Sequence, residues 1–126
     1  MSDKQAMNAE QFEALVDVIN EVGRERERQH AKWGEQNFPI CDEVKKREAL
    51  QKVDDMKALV DKAAEENSLT FDMIFEEEHL ESLSADTLED QLTEWIQVAA
   101  VAVQIVERID RMIKEAQNDK KENPGR

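Results

Sequence analysis

From Asn8 to about Lys32 the apolar residues Phe12, Leu15, Val16, Ile19 and Val22 recur at three- and four-residue spacing, with Glu13, Asp17, Asn20 and Glu21 between them. That period predicts an amphipathic first helix. Asn8 followed three residues on by Gln11 has the form of a capping box. Gly34 closes the helix, and Asn37-Phe38-Pro39 reads as a loop, because the residue before a proline is pushed out of the α region. Asp42 caps a second helix to about Glu66, with Val44, Leu50, Val53, Met56, Leu59, Val60 and Ala63 as its apolar positions. Asn67-Ser68 ends it, and Thr70 opens a third helix in which Phe71, Ile74, Phe75 and Leu83 alternate with an acidic block, Glu76-Glu77-Glu78, and Glu81. Asp86 and Glu89 suggest a second capping box, after which Leu88, Leu92, Trp95, Ile96, Ala99, Ala102, Val103, Val106, Ile109 and Ile113 mark a long fourth helix. Beyond Gln117 no apolar residue remains, so the expectation is one domain over residues 1–117 and a disordered tail over 118–126.

Composition narrows the class. In 126 residues there are 3 Gly, 2 Pro and no Tyr, with 37% charged and 40% apolar, which favours amphipathic helices and leaves a sheet protein without turns or aromatic strand residues. The formal charge of -13 repels a phosphate backbone, so a nucleic-acid polymer is excluded as a partner. A small phosphorylated ligand is compatible with it when a divalent cation bridges the anions. Val98 to Val103 is the longest apolar run, too short to span a bilayer, and the N-terminus carries no apolar leader, so the expectation is a cytoplasmic protein without a membrane role. The same run makes the fourth helix apolar nearly all round, more surface than one layer of neighbours covers, which predicts a homodimer or homotetramer.

Glu78 and Glu81 are three apart on the third helix, and Glu94 and Gln97 repeat that spacing on the fourth. The short connection at Ser84 to Asp86 makes these helices neighbours, so three carboxylates and one amide oxygen can converge as hard ligands for Mg²⁺, with Mn²⁺ able to substitute. The plain alternative is a solvated acidic face. Glu27-x-x-His30 and Glu76-x-x-His79 match an element of di-iron bundles, but that site also needs a bridging Glu from each of two other helices, and none is singled out. Glu76 and His79 lie on a different face from Glu78, so the two readings compete for which face of the third helix turns inward. Cys41 lies in a loop without a partner for a triad or a zinc site, and no Gly-rich phosphate loop exists.

Glu77-Glu78-His79-Leu80-Glu81 and Glu94-Trp95-Ile96-Gln97, with twelve residues between Glu81 and Glu94, resemble the signature of the all-α NTP pyrophosphatases that include MazG and the dimeric dUTPases. Those enzymes carry Glu-Glu-x-x-Glu on one helix and Glu-x-x-Asp on the next. Residues 24–36, RERERQHAKWGEQ, and the stretch EWIQVAAVAVQIVERID also look like a MazG-like branch found in bacteria and phages, and the resemblance covers most of residues 20–112. Gln97 departs from the pattern, standing where the wider family has Asp. The resemblance implies an all-α four-helix bundle that hydrolyses a nucleoside triphosphate, NTP or dNTP, to the monophosphate and pyrophosphate, with Mg²⁺ on Glu78, Glu81, Glu94 and Gln97. A free carboxylate such as Glu77 would take the proton from water. It also places the end of the first helix at the nucleotide: Trp33 for stacking on a base, Arg28 and Lys32 for phosphates, Gln36 and Asn37 for base or sugar edges. The alternatives are an anchoring role for Trp33, surface ion pairs for the cations, and a helical oligomer that binds nucleotide without turnover or is purely structural.

Overall fold

A computed structural model describes residues 5–122. It contains α1 (Ala9–Trp33), α2 (Glu43–Glu65), α3 (Phe71–Ser84) and α4 (Leu88–Glu122), so the described residues form an all-α fold of four helices with no strand. No helix among these residues is long and apolar enough to cross a membrane.

Local chemistry sets the helix ends. The Asn8 carboxamide oxygen accepts from the Gln11 amide at 2.8 Å, and the Gln11 side chain accepts from the Asn8 amide at 3.0 Å, which completes the capping box. Gly34, at φ 68°, turns the chain out of α1 while its N–H still donates to the His30 carbonyl at 2.7 Å. Asp42 and Thr70 cap α2 and α3 through bonds from the Lys45 and Met73 amides. α2 ends in a Schellman motif: Asn67 adopts φ 55°, its N–H donates to Ala64 O, and the Ser68 N–H donates to Ala63 O at 2.8 Å.

Two ends differ from the expectation. α4 is capped by Thr87, whose hydroxyl accepts from the Asp90 amide at 3.1 Å, and not by Asp86, which instead approaches Lys46 of α2 at 3.6 Å. The helix also continues past Gln117 to Glu122 in place of a disordered tail over 118–122, while residues 123–126 lie outside the described residues. Charge pairs within the preceding turns, Asp110 with Lys114 at 2.9 Å and Arg108 with Glu115 at 3.6 Å, support this polar stretch without apolar anchoring.

The chain divides into two compact units. The central unit, residues 37–102, holds α2, α3 and the first part of α4. In it α2 packs along α3. The buried residues are Ala49, Met56 and Ala63 of α2, Ser82 and Leu83 of α3, and Val98 and Val101 of α4. Two alanines, one heptad either side of Met56, keep that face of α2 low enough for close approach by another helix. The Val53–Met56–Val60–Ala63 part of the expected α2 stripe is inward, while Val44, Leu50 and Leu59 are exposed. On α4 the expected residues Leu88, Leu92 and Ile96 are exposed; at 100° per residue, Val98 and Val101 face away from them.

In the terminal unit, the described residues 5–36 and 103–122 hold α1 and the rest of α4, and Val18 is the one buried side chain among them. Lys114 feels the carboxylates of Asp17 and Glu10, which sets α1 alongside the end of α4. The apolar residues that the pattern marks for a core are open instead: Phe12 is 57% exposed, Ile19 50%, Ile109 51% and Ile113 52%, with Val16, Val22, Val106 and Met112 also exposed.

Candidate metal centre

The candidate centre lies wholly in the central unit. One turn of α3 separates Glu78 from Glu81, so their carboxylates leave the same face, and Glu94 projects from the second turn of α4. One carboxylate oxygen from each of Glu78, Glu81 and Glu94 lies within 4.8 Å of the other two. All three residues are half-buried. The Oε2 atoms of Glu78 and Glu94 are shielded from solvent and have no hydrogen-bond partner. A buried carboxylate oxygen with nothing to satisfy it is costly, and three carboxylates together repel one another. Glu78 is held above the ordinary glutamate value by burial first, then by the charges of Glu81, Glu94 and Glu77. Burial, then Glu81, does the same for Glu94, and Glu77 is raised by burial, then by Glu81 and Asp61.

One cation offsets this charge. Lys57 of α2 places Nζ 3.3 Å from Glu81 Oε1, and its ammonium counters the upward shifts of Glu77, Glu78 and Glu94. It lines an open depression of about 450 Å³ together with Val53, Glu81, Ser84, Asp90 and Glu94. Sequence reasoning missed Lys57. Its signal was its position beside Met56 and one turn from Val53 and Val60, at the rim of the inward stripe of α2.

On α3, Glu78, Glu81 and His79 are all half-buried, and only Glu78 and Glu81 of these join Glu94 in a cluster. Glu76 is exposed, and His79 is taken up by aromatic contacts, stacked on Phe75 at 6.2 Å and edge-on to Trp95 at 5.8 Å. Glu27 and His30 are both exposed, and Glu78, Glu81 and Glu94 are the one cluster with ligand spacing among the described residues. Neither Glu-x-x-His element belongs to a cluster with ligand spacing among the described residues. Trp95 is half-buried, with its indole N–H enclosed and without an acceptor.

Gln97, one turn beyond Glu94, is exposed. Of the residues expected at the nucleotide, Asn37 opens the central unit, whereas Arg28, Lys32, Trp33 and Gln36 belong to the terminal one. Arg28 donates from Nε to Glu25 at 2.9 Å, an exposed pair. Trp33 is 55% exposed, which removes a core role within this chain, and the Lys32 ammonium sits 4.8 Å from the centre of its ring. Gln36 and Asn37 are exposed loop residues. Cys41 is a half-buried free thiol beside Ile40, Lys46, Ser82 and Gln91.

Comparisons with protein-family models, with curated proteins and with solved structures find no match to this chain.

The donor set suits a hard divalent cation. Oxygens sharing a Mg²⁺ ion at about 2.1 Å can be no more than about 4.2 Å apart, so a trio already within 4.8 Å needs only side-chain adjustment. Ligation would also satisfy the two unpartnered Oε2 atoms.

Proposed function

We propose that the protein is a Mg²⁺-dependent nucleoside triphosphate pyrophosphohydrolase of the MazG-like, four-helix-bundle type, converting an NTP or dNTP to the monophosphate and pyrophosphate. The observation that carries the reading is the trio Glu78, Glu81 and Glu94 with two buried, unpartnered oxygens. The Glu-Glu-x-x-Glu and Glu-x-x-Gln segments that supply it add the resemblance to enzymes of this chemistry. Glu78, Glu81 and Glu94 hold the cation, with Gln97 contributing through its amide oxygen or through water. The ion supplies charge neutralisation at the phosphates, which a chain of net charge -13 needs before it can hold a triphosphate.

Lys57, with its ammonium at the edge of the depression, reaches a phosphate oxygen once Glu81 is engaged elsewhere. Water adds to the α-phosphorus, the bond from that phosphorus to the bridging oxygen breaks, and pyrophosphate departs. Glu77 takes the proton, since a carboxylate held above its ordinary value is a better base near neutral pH. Of the residues that the resemblance expects at the nucleotide, Asn37 belongs to the same unit as the trio and is assigned to a base or sugar edge.

A panel of NTPs and dNTPs assayed for pyrophosphate with Mg²⁺ and with Mn²⁺ tests this directly. Release with at least one nucleotide, abolished by Glu78→Ala, is expected. Nucleotide binding without release would mark a binding protein, the reading that Gln97 in place of the family's Asp favours. Bound iron with oxygen-dependent optical bands would return the di-iron reading.

A further inference from the structure

Beside the carboxylate trio, α3 and α4 meet through rings. His79 follows Glu78 by one residue and Trp95 follows Glu94 by one, so each ring leaves its helix about 100° around from a carboxylate of the trio. The connection over residues 85–87 turns α4 back along α3. Viewed along one axis, two antiparallel helices wind in opposite senses, so both one-residue steps lead to the same side. The carboxylates gather on one side of the contact and the rings meet on the other, His79 edge-on to Trp95 at 5.8 Å, with Phe75 stacked on His79 at 6.2 Å.

The trio has little else to aim it. Lys57 holds Glu81, but Oε2 of Glu78 and Oε2 of Glu94 have no donor. Carboxylates that ligate a metal are ordinarily held by hydrogen bonds from outside the ligand set. Where those are missing, the spacing of the helix backbones decides where the oxygens converge. We propose that His79 and Trp95 are positioning residues of the centre, their ring contact fixing the separation of α3 and α4 at Glu78 and Glu94 and thereby the affinity for a divalent cation. This role rests on the cation reading of the trio and adds two residues that touch neither the ion nor a substrate.

Rings suit that task, because a flat, stiff side chain has few rotamers and its packed width varies little. Small changes of separation matter here, since oxygens within 4.8 Å must close to about 4.2 Å around Mg²⁺. Trp95 keeps its indole N–H enclosed without an acceptor, a cost that an aliphatic side chain would not carry. Its hydrogen-bonding capacity is unused, and what it supplies is the width of a half-buried ring between two helices. His79 is engaged by Phe75 and by Trp95, and it does not belong to the cluster with ligand spacing, so its ring serves packing and not the ion.

Mn²⁺ binding to the full chain without nucleotide, followed by electron paramagnetic resonance at a temperature where circular dichroism shows each variant folded, tests the contact. Trp95→Leu and His79→Leu should each weaken binding about tenfold, the size of effect typical of groups just outside a metal's ligands. Trp95→Phe and His79→Phe, which keep a ring, should stay within about threefold of wild type. Combining Trp95→Leu with His79→Leu should weaken binding no further than either alone, because one contact can be lost only once. His79→Gln, polar at a half-buried position, is the second arm should an aliphatic chain loosen the fold, and it should weaken binding as His79→Leu does. Val101→Ala, which hollows the core further along α4, lowers stability and should leave the affinity in place. Ring-free variants that bind Mn²⁺ as wild type does overturn the proposal. So do losses that add in the double variant, Phe variants as weak as the Leu ones, or an equal loss in Val101→Ala. A wild type without saturable binding overturns the cation reading itself, and this role with it.

Discussion

The central and terminal units are both built from helices and differ in what they enclose: the central one shields polar atoms, the terminal one encloses a single apolar side chain among its described residues. In the central unit Met56, Leu83, Val98 and Val101 are enclosed while Leu50, Leu59, Leu88, Leu92 and Ile96 stay open, and three polar atoms, Oε2 of Glu78 and of Glu94 and Nε1 of Trp95, are shielded from water without a partner. In the terminal unit almost nothing polar is trapped, and what remains unsatisfied is apolar, the open faces of α1 and α4. Each is a departure from ordinary folding, and each points to a different missing component. Shielded carboxylate oxygens without a partner suit a cation; exposed apolar stripes suit contact with protein.

The sharpest way to break that contrast is to remove matched side chains. Leu83→Ala should lower stability by about 2–5 kcal/mol in urea unfolding, independent of protein concentration. Ile19→Ala, half exposed in one chain, should cost only about 1 kcal/mol if nothing covers it. Beneath a second copy its cost should approach that of Leu83→Ala and depend on concentration. Equal, concentration-independent costs would erase the distinction between the units.

On the proposed reading, Mg²⁺ is held by residues of the central unit alone. At a free concentration ten times its dissociation constant it should stabilise the fold by about 1.4 kcal/mol, a rise in Tm of about 5 °C for a chain of this size. Differential scanning fluorimetry should show that rise shrinking in Glu81→Ala. An equal rise in both proteins would reduce the effect to screening of the overall charge.

Lys57 sharpens the electrostatic side of the picture. Lys57→Met removes the cation beside Glu81, and calorimetric titration should show Mn²⁺ binding about fivefold tighter, following the roughly 1 kcal/mol a water-screened unit charge exerts at close range. Turnover should fall in the same variant, because the phosphate contact is lost. Weaker metal binding in Lys57→Met would show that the ammonium organises the trio instead of competing with the ion.

The smallest effect is in pH dependence. Glu77, Glu78 and Glu94 titrate above the ordinary glutamate value in the fold, so the folded state binds more protons than the unfolded chain just above that value. Their contribution to stability is present at acid pH and is lost as pH rises through their raised values, so the metal-free protein should be more stable near pH 5 than at pH 7. Thermal unfolding across that window should show a shallower slope in Glu78→Gln and with saturating Mg²⁺. An unchanged slope in Glu78→Gln would place the titration elsewhere.

What could be read from the chain divides along the range of the interactions. Asn8 with Gln11, Asp42 and Thr70 were legible as caps because their bonds close within three residues. Asp86 and Thr87 are adjacent and equally able to cap; the choice fell to Thr87 while Asp86 approaches Lys46, a residue of another helix. Glu78, Glu81 and Glu94 were legible because i,i+3 spacing and a short connection suffice to bring them together. Lys57 was not, since its approach to Glu81 depends on how α2 lies along α3. Periodicity identified Ile19, Leu92 and Ile109 as parts of apolar faces but carried no information on what covers those faces.

The measurement that bears most directly on the central claim is Mn²⁺ binding followed by electron paramagnetic resonance, in wild type and in Glu78→Gln, Glu81→Gln and Glu94→Gln. Saturable binding by the wild type, displaced by Mg²⁺ and weakened at least tenfold by each substitution, is the predicted result. Absence of saturable binding, or binding that all three substitutions leave unchanged, would contradict a divalent-cation centre at these carboxylates.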